Sequence, residues 1–227
     1  MENPGGLIFD LNGTMVDDMR FHTKAWFHVL NKELGKDISW DEVKSHMYGK
    51  NSEVLERIFG PDHFEIEEVD RISIDKEKRY QREFFPHLAL IPGLHDFLKK
   101  AKELNIPMAI GSAAIPFNID FILDNLNLRN FFKAIVSADD VLFSKPDPET
   151  FSKAARLLSA EPSSCIVFED APKGVEAALR ADMQCVVLTT MHEKGEFVKY
   201  PNVIAYIKDF TDPFCKHLLG PGLALLN

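Results

Sequence analysis

Long apolar runs are missing from this chain: none approaches the roughly 18 residues of a membrane span, and no membrane partner is expected. Basic blocks are missing as well. Asp and Glu outnumber Lys and Arg by 35 to 26, and the net charge of −9 has no basic cluster set against it, which argues against nucleic-acid binding. Cysteine is scarce. Cys165, Cys185 and Cys215 are odd in number and lack metal-ligand spacing. Cys165 and Cys185 sit in apolar, strand-like runs, where a thiol behaves as a small hydrophobe. No charged stretch leads into an apolar one at the N-terminus, so no secretory leader is expected, and the expected location is the reducing cytoplasm. Internal repeats and low-complexity segments are also lacking. What is present is an ordinary globular composition, 45% apolar and 27% charged, in 227 residues. That length allows one large core or two modest ones.

The stretch that organises the chain runs from Gly6 to Asp17. Leu7, Ile8 and Phe9 read as a strand buried on both faces of a parallel sheet. The strand runs into Asp10 at its C-terminal end, where open α/β sheets hold their ligands. Strand alternation points Asp10 and Asn12 the same way. Gly13 allows a sharp turn, and Thr14 adds a hydroxyl beside exposed backbone N–H groups. This is a compact site for a metal and a phosphate.

After that strand the pattern is helical for about seventy residues. Phe21, Ala25, Trp26, Val29 and Leu30 follow 3.6-residue spacing up to Gly35. Ser39 to Glu42 is a capping box; a third helix runs from about Ser52 to Phe59, and a longer charged one from about Ile66 to Phe85. From Leu90 onward strand and helix alternate. Buried strands are expected at Ile106 to Ile110 and Cys165 to Phe168, and further strands at Ala134 to Ser137, Cys185 to Leu188 and Val203 to Ile207. Asp147 is placed as the N-cap of a helix with Pro148 in its first turn. The fold class is therefore α/β, a doubly covered parallel-sheet core of Rossmann type. It comprises residues 1–16 and 89–227, with a helical bundle of residues 17–88 inserted between its first two strands. The tail after Phe210 carries no readable chemistry.

Four polar sites stand at strand ends or in the loops after them: Asp10/Asn12, Ser112, Lys145 and Glu169/Asp170. Singly, each has a plain reading as a helix cap or a surface charge. Jointly, on one edge of one sheet, they resemble the haloacid dehalogenase superfamily, in the branch of β-phosphoglucomutase-like phosphatases with a helical cap. The likeness rests on Asp10-Leu11-Asn12-Gly13-Thr14, Ser112, Lys145-Pro146, and Glu169-Asp170 followed by Gly174, and it covers nearly the whole chain.

That resemblance implies a Mg²⁺-dependent phosphohydrolase acting on a small phosphorylated metabolite such as a sugar phosphate. Asp10 would be the nucleophile that forms an aspartyl-phosphate. Mg²⁺, which favours hard oxygen ligands, would be held by Asp10, the backbone carbonyl of Asn12, and Asp170, with Glu169 close or ligating. Ser112 would donate to a phosphoryl oxygen, with Thr14 and Ala113 beside the substrate, and Lys145 would neutralise charge on phosphoryl group and nucleophile. A monomer is expected.

One position departs from the family. Its third motif residue is an aspartic acid that serves as general acid and base; Asn12 can hydrogen-bond there but cannot carry that proton. An impaired enzyme, an enzyme tuned to good leaving groups, and a phosphometabolite-binding protein with little turnover all fit this change. The Asn12-Gly13 pair is also chemically prone to deamidate. In the insertion, Lys50 lies in a loop that faces the active site in relatives, and it could bind substrate phosphate. Ser52 stands where β-phosphoglucomutase has its phosphate-gripping arginine, which weakens a mutase reading. Lys50 also lies near the Schiff-base lysine position of phosphonoacetaldehyde hydrolase, so C–P cleavage is a further alternative. His22 matches a histidine common near the hinge in this branch, although its helix by itself reads as placing it on the surface.

Overall fold

The computed structural model describes residues 3–220, so the outermost ends of the expected core, and the last part of the tail, lie outside the described residues. By its own contacts the chain divides into two compact units, Met1–Asp17 with Ala89–Asn227, and Asp18–Leu88.

The first unit is built on six parallel strands: β1 Gly6–Phe9, β2 Met108–Gly111, β3 Ala134–Val136, β4 Cys165–Glu169, β5 Gln184–Leu188 and β6 Val203–Ile207. Their order across the sheet is β3-β2-β1-β4-β5-β6, so the chain's first strand lies in its middle. The winding direction reverses between β1 and β4, and in open sheets that reversal leaves a crevice at the C-terminal strand ends. All four residues of β1 are buried, as expected for a run apolar on both faces.

Alternation assigns each strand residue to a face. Phe9 and Phe168 are register partners on β1 and β4, and their rings stack with centroids 4.8 Å apart. Phe97 and Phe210 pack around that pair, at 5.3 Å each from Phe168. On the opposite face Ile8, Ala109, Val167 and Cys185 join one cluster with Phe151 and Ala154 of the helix Glu149–Leu158 and Val175 and Ala178 of the helix Pro172–Arg180. The thiols behave as hydrophobes here: burial pushes Cys165 up to about 11 and Cys185 well above its ordinary value. The helix Glu149–Leu158 starts one step later than expected. Pro148 flanks the helix and Asp147 accepts from the Glu149 N–H at 2.9 Å, so the aspartate caps from just outside the first turn. The region after Phe210 also holds a short helix, Pro213–Leu218, started by an Asp212 side chain that accepts from the Phe214 N–H.

The second unit is helical throughout: Met19–His28 continuing through a wider turn at Val29–Glu33, then Trp40–His46, Asn51–Phe59 and Ile66–Phe84. Its core is Trp26, Val29, Leu30, Val43, Val54, Leu55 and Ile72. The capping box forms as read, with Ser39 accepting from the Glu42 N–H and Glu42 accepting from the Ser39 N–H. Within the first unit, the chain leaves and re-enters side by side. Val16 and Leu90 form an antiparallel bridge, and the Ile91 N–H donates to the Met15 carbonyl at 2.9 Å.

Candidate active site

The ladder between β1 and β4 decides where the carboxylates stand. Phe9 is paired with Phe168, and the Asp10 N–H still donates to the Phe168 carbonyl at 2.9 Å. Asp10 and Glu169 are therefore level and project to the same face as Ile8 and Val167. Lys145, in the segment before the helix Glu149–Leu158, reaches them both, donating to Asp10 Oδ1 at 2.6 Å and Glu169 Oε1 at 2.9 Å. Its stem runs beside Phe151, with Nζ 4.5 Å from the ring centroid. Burial by itself would lower the Lys145 ammonium, but the paired carboxylates outweigh it and hold the group charged, above the ordinary lysine range. The second oxygen of Glu169 accepts from the Ala171 N–H at 2.7 Å. A Cβ at Gly174 would stand 1.7 Å from Glu169 Oε1, so the first turn of the helix Pro172–Arg180 can close on this carboxylate only with glycine there.

Asp170 follows at once and faces the turn after β1. Thr14 Oγ1 lies 3.5 Å from its Oδ1, a long hydrogen bond. Gly13 adopts φ +79°, and a Cβ there would come within 2.1 Å of Asp170 Oδ2. Both the turn and the close approach require glycine. The Gly13 N–H donates to the Val16 carbonyl at 2.8 Å, so the Asn12 carbonyl, opposite across the same trans peptide, points away from Val16. On the other side of Gly13, its own carbonyl accepts from Thr190 Oγ1 at 2.7 Å.

Asp10, Glu169 and Asp170 are all buried, and each offers an oxygen within 4.8 Å of the others. Three carboxylates against one ammonium leave two negative charges in a buried space. An all-oxygen donor set with that residual charge fits a hard divalent cation.

Ser112 follows β2, and its backbone N–H extends the β2–β3 ladder to the Val136 carbonyl. Its hydroxyl oxygen accepts from the Ala114 N–H at 3.1 Å, leaving the hydroxyl proton for an acceptor, and Ala113 is half-buried in the same turn. Asp10, Asn12, Thr14, Ser112, Ala113, Lys145, Glu169 and Asp170 thus share the C-terminal side of one sheet. His22 and Lys50 belong to the other unit. Lys50 is half-buried and flanks the third helix of that unit, with its N–H donating to Glu53 Oε2 at 3.0 Å. His22 corrects the surface reading: it is buried, stacked on Tyr80 at 3.7 Å, with Nδ1 2.9 Å from Lys76 Nζ.

The sequence reading missed that buried polar cluster. Lys76 also donates to Glu77, which accepts from Asn51 Nδ2 at 2.8 Å, and Tyr80 donates to Asp18. The signal was periodicity, since Ile72, Lys76, Tyr80 and Phe84 share one buried stripe and a lysine in such a stripe marks a buried charge. Thr190 was missed too, and a lone threonine after a strand carries no pattern that would reveal it.

Known proteins resemble this chain in sequence and in fold. The profile of haloacid dehalogenase-like hydrolases matches residues 7–188. Fructose-1-phosphate phosphatase YqaB of Escherichia coli K12 is 33% identical over 190 residues, covering 82% of this chain and 96% of that protein. Validoxylamine A 7'-phosphate phosphatase of Streptomyces hygroscopicus subsp. limoneus is 28% identical over 220 residues, covering 95% and 98%. The crystal structure of β-phosphoglucomutase from Clostridium difficile superposes with a TM-score of 0.79 at 25% identity, covering 95% of this chain and 97% of that one.

Proposed function

The chain belongs to the haloacid dehalogenase-like hydrolase family, and from that premise we propose that it is a Mg²⁺-dependent phosphatase of small phosphorylated metabolites, working through a phosphoaspartate on Asp10. The observation that carries this reading is the buried Asp10–Lys145–Glu169 arrangement with Asp170 beside it. The relatives named for validoxylamine A 7'-phosphate and for fructose 1-phosphate support the substrate class.

Asp10, Asp170 and the Asn12 carbonyl would hold Mg²⁺, which when bound screens the phosphoryl charge from the nucleophile. Asp10 attacks phosphorus, an O–P bond forms, and the bond to the leaving oxygen breaks. Lys145 offsets charge on the attacking carboxylate, and Ser112 donates its hydroxyl proton in a hydrogen bond to a phosphoryl oxygen. Water then attacks the phosphorus of the phosphoaspartate, releasing phosphate and restoring Asp10. The leaving oxygen needs a proton unless it departs as a stable anion, and Asn12 has none to give. Losing general acid–base assistance typically costs about 10²–10⁴ in rate. Acyl phosphates, whose carboxylate leaves unprotonated, should therefore phosphorylate Asp10 far faster than sugar phosphates do, whereas hydrolysis of the phosphoaspartate lacks a base at residue 12 with either substrate.

First-turnover release of acetate from acetyl phosphate and of fructose from fructose 1-phosphate, by the parent and by Asn12→Asp, tests this. The substitution should raise the first-turnover release of fructose by about 10²–10⁴ and change that of acetate much less. Asn12 also favours a second reading, a phosphometabolite-binding protein with little turnover. Phosphate-ester binding without hydrolysis of either substrate by either protein would establish that reading instead.

A further inference from the structure

β1 and β5 are not neighbours: β4 lies between them and ends at Glu169, directly before Asp170. One side chain nevertheless bridges over the end of β4. At the end of β5, Thr189 stays with the ladder, its N–H donating to the Ile207 carbonyl of β6. Alternation turns the next residue away, and Thr190 Oγ1 donates to the Gly13 carbonyl at 2.7 Å, across 177 residues of sequence. Gly13 is the residue whose missing Cβ lets the turn close on Asp170, and Thr14 next to it contacts the same carboxylate. The Asn12–Gly13–Thr14 turn is thus fixed from two sides. The Gly13 N–H is held by Val16 and the Gly13 carbonyl by Thr190, so both peptide planes that flank Gly13 are set. Those planes decide where the Asn12 carbonyl points and how closely the turn meets Asp170.

We propose that Thr190 is a positioning residue for the divalent-cation site. Its hydroxyl holds the turn after β1 against Asp170, and thereby sets the affinity for the cation without touching it. The inference rests on the reading of Asp10, Asp170 and the Asn12 carbonyl as the Mg²⁺ ligands. Partners that orient first ligands typically carry about 10–100-fold of metal affinity.

Calorimetric titration of the full chain with Mg²⁺ separates the two ideas. Thr190→Val keeps the shape and removes the donor; it should bind Mg²⁺ about 10–100-fold more weakly. Thr190→Ser keeps the donor and should bind as the parent does. Thr190→Ala serves as a second donor-free variant should the valine disturb the loop, and it should match Thr190→Val. Asp170→Asn reports on the ligand reading and should bind far more weakly than any of them. Parent-like affinity in both donor-free variants, with Asp170→Asn impaired, overturns the role of Thr190 alone. A Thr190→Ser as weak as Thr190→Val overturns it also, because the hydroxyl would then not be what matters. Parent-like affinity in Asp170→Asn removes the cation site and the proposal with it.

Discussion

At the scale of single residues, the sequence was most informative where chemistry-bearing side chains follow buried strands directly. Asp10, Ser112 and Glu169 could be placed because an apolar run fixes the strand, and the sheet then fixes where its end must lie. Lys145 needed the family pattern, since its contact with Asp10 spans 135 residues and no local rule predicts it. The fate of Asn12 was not legible at all. Its dipeptide with Gly13 reads as unstable, because the Gly13 nitrogen can attack the side-chain amide carbon, expel ammonia and form a cyclic imide that opens to aspartate or isoaspartate. In the folded chain that nitrogen donates to the Val16 carbonyl at 2.8 Å, within a turn fixed by φ +79° at Gly13. Folded protein held for days at neutral pH should therefore keep its residue 12 amide, whereas urea-unfolded protein should lose it several-fold faster. Peptide mapping of residue 12 reads both rates, and equal rates would show that the hydrogen bond gives no protection.

At the scale of elements, strands and helices were legible because each apolar period is strong, while charges hidden inside a period were not. The helix Ile66–Phe84 reads only as a longer, charged helix, yet Lys76 and Glu77 are both among its buried residues. Burial alone would raise the Glu77 carboxyl. The charges of Lys76 and His22 and the Asn51 hydrogen bond outweigh it, and the group is brought from about 4.5 down to about 2. A carboxyl depressed on folding adds stability that is complete above its unfolded value and fades as pH falls toward the folded one. Here that amounts to about 3 kcal/mol, lost between roughly pH 5 and pH 2. Both tryptophans, Trp26 and Trp40, lie in the Asp18–Leu88 unit, so indole fluorescence reports on that unit. Urea midpoints followed by this signal should fall steeply over that pH window in the parent. Glu77→Gln should be less stable at pH 7 and should flatten the profile. A variant with the parent's slope would place the acid sensitivity elsewhere.

At the scale of the whole molecule, alternation of strand and helix after residue 90 announced a parallel sheet, and the helical residues Asp18–Leu88 form a unit by their own contacts. Strand order was beyond the sequence, because parallel strands joined by helices can be laid down on either side of the first one. Only the pairing of β1 with both β2 and β4 puts Asp10 beside Glu169. The bridge between Val16 and Leu90 has a consequence for modularity. Residues opposed across an antiparallel bridge have Cα atoms only about 4.5–5.5 Å apart, so the sheet unit offers its two cut ends at hairpin spacing. Excising residues 18–88 and joining Asp17 to Ala89 through a linker of about two to five glycine and serine residues should leave a chain that still melts cooperatively, with its sheet signal intact by circular dichroism. A product with no cooperative melt would show that the sheet depends on the excised block. The stem made by Val16 and Leu90 is in this sense a socket, able to accept any helical module whose own ends meet at the width of a hairpin.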